Sequence, residues 1–85
     1  MAAVAREKHL DSVATRVEEH WVEIEALITT KQPKKYDLAV QRLVDLRDVA
    51  ARCGSEPDFA SRLALLRTRH AAKPSFTERL SRNGL

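Results

Sequence analysis

Between residues 36 and 53 apolar side chains recur at helical spacing: Tyr36, Ala39, Val40, Leu43, Leu46, Val49, Ala50 and Cys53. Steps of three and four put them on one face of a helix. Gly54 ends the pattern. Ser55-Glu56-Pro57-Asp58 opens another, which Phe59, Leu63, Leu66 and His70 continue. The pattern predicts two antiparallel helices joined by a very short turn, over about residues 34–53 and 56–72. Ser55 is placed to cap the second of them, accepting from the backbone N–H of Asp58.

Ahead of this hairpin, Leu10, Val17 and Ile24 recur every seven residues. Val13, His20 and Leu27 form a second line, and Ala14, Trp21 and Ile28 a third. Three adjoining lines make a stripe broader than a coiled-coil seam, which suits a helix lying on a globular core. One long helix over about residues 4–30 follows, stopped by Thr29, Thr30 and Pro33. After the hairpin, Pro74 ends one helix and starts a short one to about residue 82, with Phe76 and Leu80 one turn apart. Asn83-Gly84 is a stop signal, and Leu85 can fold back as its apolar contact.

The predicted fold is all-α: one domain over residues 1–85, with three main helices, a short C-terminal helix and a central antiparallel hairpin. The hairpin's face (Val40, Leu43, Leu46, Leu63, Leu66) should pack on Val17, Trp21, Ile24 and Ile28. A first helix of this length would overhang its partners by on the order of 10 Å. The overhang would leave Val4, Leu10 and Val13 uncovered, a surface on which two copies could pair around a two-fold axis.

Composition narrows the rest. Apolar residues are 44% of the 85 and aromatics only 5%, so Leu, Val and Ala must fill most of the core. Charge is uneven. Residues 1–30 carry three basic residues (Arg6, Lys8, Arg16) and six acidic ones, whereas residues 31–85 carry twelve basic and six acidic. That asymmetry could favour packing of the first segment on the rest, or present a basic face to an acidic partner. The candidates for such contacts are Lys31, Lys34, Lys35 and Arg42.

No catalytic constellation emerges, and we expect neither enzyme activity nor a cofactor. Cys53 has no second cysteine near it and is expected to be a small buried apolar group. His20 and Glu23 are three residues apart, but no HExxH-like motif completes a metal site. His20 and His70 are expected at the edge of the apolar stripe, each with one ring nitrogen in water. No signal peptide or spanning run is evident, so a reducing, cytoplasmic setting is expected.

The residues also carry a resemblance. Tyr36-Asp37-x-Ala39-Val40, Leu43-Val44-Asp45-Leu46-Arg47, Phe59 with Arg62-Leu63, Leu66-Arg67 with Arg69-His70, and Lys73-Pro74 resemble the C-terminal helical tail of bacterial SWIM zinc-finger proteins. The resemblance covers about residues 17–85. That family's zinc-binding CxC and CxH elements lie upstream of the tail. None occurs here, so no metal ligand is carried over. The resemblance implies a C-terminal module like a tetratricopeptide-type hairpin. Such a module binds a protein, either another chain or the upstream part of its own. The alternative is a nucleic-acid-binding module that uses the basic residues from Lys31 onward.

Overall fold

The computed structural model describes residues 2–85, with side chains from Glu7 onward. Five helices run through the described residues: α1 (Ala2–Thr15), α2 (Val17–Thr29), α3 (Pro33–Cys53), α4 (Glu56–Arg69) and α5 (Pro74–Arg82). The class is all-α. The longest helix, α3, touches each of the other four, while α1 and α2 also touch each other. The apolar stripe of α3 explains its central place: Tyr36, Ala39, Val40, Leu43, Leu46, Val49 and Ala50 are all buried.

The single long first helix is replaced by two. The chain breaks at Arg16, whose φ of −131° and ψ of 33° lie outside the helical range. A straight helix over residues 2–29 would be about 42 Å long, more than the molecule's longest dimension of 37 Å. Val13, Thr15 and Val17 are β-branched and hold a helix weakly. Bending there lets α1 lie on α3 rather than project past it. Leu10 (6% exposed) and Val13 (2%) consequently enter the core, so neither forms the exposed overhang expected of them. Val4, the third residue of that set, lies outside the residues whose side chains are described.

Residues assigned to the core behave unequally. Ile24, Ile28, Val40, Leu43, Leu46, Leu63 and Leu66 are buried, together with Phe76, Leu80 and Leu85. Val17 and Trp21 are half-buried and pack against that cluster with Phe59. Cys53, in the last turn of α3, is exposed, against expectation.

Prolines and left-handed residues punctuate the helices more than side-chain caps do. Pro33, Pro57 and Pro74 each sit in a first turn, where the missing N–H is not needed. Ser55 makes no side-chain cap bond. Pro57 removes one of the two N–H groups such a cap could serve, and ψ of 25° keeps Ser55 out of the extended conformation of a capping serine. Gly54 (φ 70°) and Gly84 (φ 73°) end α3 and α5 in the left-handed region. The N–H groups of Ser55 and Leu85 then reach back to Ala50 and Leu80, each at 2.9 Å.

Lys31 (φ 58°) takes the equivalent left-handed place after α2, though it carries a Cβ. Replacing Lys31 by Gly should therefore raise stability by about 1 kcal/mol. In a thermal melt that is an increase of about 4–8 °C for a chain of this size.

Candidate functional site

The acidic first segment and the basic remainder meet in ion pairs. Asp11 pairs with Arg52 (3.0 Å), Glu23 with Arg42 (2.7 Å), Glu18 with Arg62 (2.5 Å) and Glu25 with Arg69 (2.5 Å). Most of these side chains are solvent-exposed, so each pair adds little stability. Their value here is geometric. Glu18 and Glu25 lie two turns apart on α2, and so do Arg62 and Arg69 on α4, about 10 Å along each axis. Both pairs join residues 44 apart in the chain. Helices α2 and α4 therefore run parallel, both antiparallel to α3.

An apolar groove lies between these two crossings. Trp21 and Leu66 line its depth, with Val22 and Leu65 beside them. Val22 is 70% exposed and Leu65 62%, the two most exposed large apolar residues among those described. Trp21 stacks at a tilt on Phe59, 5.9 Å between ring centres, and the Arg62 guanidinium carbon lies 5.8 Å from its ring centre. The guanidinium thus faces a ring that attracts cations while it binds both oxygens of Glu18, at 2.9 and 2.5 Å. Glu18's carboxyl is held below its ordinary value of 4.5, mainly by the hydrogen bond from Arg62. A depressed carboxyl value means that this crossing helps the fold above about pH 4.5 and stops helping as the pH falls through the lower folded value.

At the far end of the groove the second crossing continues inward. Glu25 also accepts from Nε2 of His70 at 2.8 Å, and Nδ1 of His70 meets Nζ of Lys73 at 3.0 Å. An ammonium only donates, so Nδ1 accepts and Nε2 carries the proton. His70 is 4% exposed and packs edge-on against Phe76, 6.1 Å between ring centres. This corrects the placement of His70 at a wet edge: both its nitrogens are bonded within the protein. The other two histidines each have one ring nitrogen bonded within the protein, Nδ1 of His20 with Arg42 at 3.0 Å and Nε2 of His9 with the buried Asp45 at 2.8 Å.

The basic candidates separate. Lys31 and Lys34 are exposed and Lys35 half-buried, all at the connection from α2 to the first turn of α3. Arg42 is bound to Glu23 and His20, so its charge is offset. Val22, Leu65 and Lys73 are not among the candidates that the sequence suggests. Val22 and Leu65 fall one step off the apolar stripes of their helices, and an apolar residue at a polar position is the signal that could have found them. Among the described residues, no group of three or more His, Cys, Asp or Glu is placed to hold a metal ion. No helix there is long and apolar enough to cross a membrane.

Compared with protein-family models, with curated proteins and with solved structures, the chain finds no match in any of the three.

Proposed function

We propose that this chain is a non-catalytic protein-interaction module, and that it forms the C-terminal part of a larger protein of the SWIM zinc-finger type. The observation that carries the interaction reading is the exposure of Val22 and Leu65 beside the half-buried Trp21. Aromatic anchors set in a partly open apolar groove are what binding hot spots are made of. The parallel α2 and α4 on an antiparallel α3 support the comparison with tetratricopeptide-type hairpins.

The partner is a protein helix with an apolar stripe. Most rim charges are already paired between helices, Glu18 with Arg62, Glu25 with Arg69 and Glu23 with Arg42, which leaves Glu19 beside Val22 without such a pair among the described residues. The stripe of the partner should accordingly be edged by a basic residue on the α2 side, facing Glu19. Leu65→Glu should leave the melting temperature within a few degrees, since Leu65 is mostly exposed. The same change should weaken co-purification with the upstream part of the larger protein at least about tenfold, the effect of one lost hot spot. Equal retention of the two forms would count against the groove.

A second reading, nucleic-acid binding through phosphates, is favoured by Lys31, Lys34 and Lys35, which have no ion-pair partner among the described residues. It requires binding to a labelled duplex that weakens steeply with added salt. Absence of binding at low salt removes it.

A further inference from the structure

The turn from α2 into α3 and the start of α5 enclose a cleft of about 380 Å³. Lys31, Tyr36, Lys73 and Ser75 line it with Ala72 and Pro74, and no carboxylate does. It shares no residue with the α2–α4 groove, so a ligand here is independent of the interaction reading.

Three features of the cleft point to one ligand chemistry. Tyr36 is 6% exposed, with its ring packed on Phe76 at 5.7 Å. Its hydroxyl has no hydrogen-bond partner among the described residues, yet no buried side-chain oxygen there is sealed off without one. The hydroxyl is therefore wet, and the cleft that Tyr36 lines is where it opens. Helix α5 begins without a side-chain cap, and Pro74 has no N–H, so the N–H groups of Ser75 and Phe76 are left at the positive end of the helix dipole. Two ammonium groups complete the set. Lys73 is held in place by Nδ1 of His70, which Glu25 fixes in turn. Lys31 is exposed, without an ion-pair partner among the described residues, and sits in a backbone conformation that disfavours a side chain.

We propose that this cleft binds a phosphate group, presented as the monoester of a small molecule. The two ammonium groups balance a dianion, and the Tyr36 hydroxyl and the N–H of Ser75 donate to its oxygens. Ala72 and Pro74 offer an apolar wall to the organic part.

Amide spectra of the labelled chain test this, with inorganic phosphate, a nucleoside monophosphate, a short oligonucleotide without terminal phosphate, and chloride at matched ionic strength as probes. The expected result is saturable shifts centred on Ser75 and Phe76 with phosphate and the monophosphate, and none with chloride. Tyr36→Phe and Lys31→Gly should each weaken binding about tenfold, the loss of one hydrogen bond to a charged group. Lys31→Gly is informative because glycine suits that backbone, so lost binding would accompany an intact fold. Shifts that never saturate, that chloride reproduces, or that both variants retain would overturn the site. Tighter binding of the oligonucleotide than of the monophosphate would overturn the monoester in favour of a phosphodiester chain.

Discussion

Leu43→Ala is expected to cost roughly 3–4 kcal/mol. Leu43 is fully buried at the middle of α3, the helix that touches all the others. Removing it deletes apolar contacts and leaves a cavity that no single neighbouring helix can close without moving off the rest. Total stability for a chain of this length is on the order of 4–13 kcal/mol. The loss should therefore lower the thermal midpoint by on the order of 15–25 °C. Leu63, at 9% exposure on the flank, should suffer less, and Leu65, at 62%, should change stability by less than about 0.5 kcal/mol. Denaturant melts of the three variants give the order directly. A cost at Leu43 no greater than at Leu65 would contradict the central role of α3.

The second large effect is expected at Glu25, although the residue is 30% exposed. A surface carboxylate paired only with an arginine would be nearly dispensable. Glu25 differs because it also accepts from the buried His70. Glu25→Ala leaves the Nε2–H of His70 without an acceptor in a place with little water, which costs about 1–3 kcal/mol. Lys73 already occupies the other nitrogen, so the ring cannot satisfy itself by changing tautomer. Arg69→Ala removes only the exposed partner and should cost less than about 1 kcal/mol. Urea midpoints for the two variants separate the cases. Equal, small losses would show that the contact between Glu25 and His70 adds nothing.

The α3–α4 region was legible because its apolar spacing is clean and its punctuation is strong. Gly54, Pro57 and Pro74 act locally, through backbone angles and a missing N–H, so the sequence is enough to place them. The break at Arg16 was not legible for the opposite reason. The heptad lines of residues 10–28 continue across it without a fault, and no proline or glycine marks it. The bend follows from the length of α3, which sets how far α1 can run before it has nothing to pack on. The same tertiary cause buries Leu10 and Val13, which an isolated straight helix would leave bare. His70 was misplaced because its acceptor, Glu25, comes from a separate helix whose register the periodicity of α4 does not reveal. The uneven charge was visible in the chain, but which acidic residues face which arginines across helices, as Asp11, Glu18, Glu23 and Glu25 do, needs the register of separate helices.

Site-specific photo-cross-linking tests the groove between α2 and α4 most directly as the binding surface of this chain. A photoreactive residue is placed in turn at Val22, at Leu65 and at Leu38, an exposed apolar position on α3 outside the groove. Any captured protein is then purified and titrated against the unmodified chain. Val22 and Leu65 should capture the same protein and Leu38 should not, and the purified pair should associate with a change in Trp21 fluorescence. Equal capture at all three positions, or a purified pair that leaves Trp21 unchanged, would contradict a binding role for the groove.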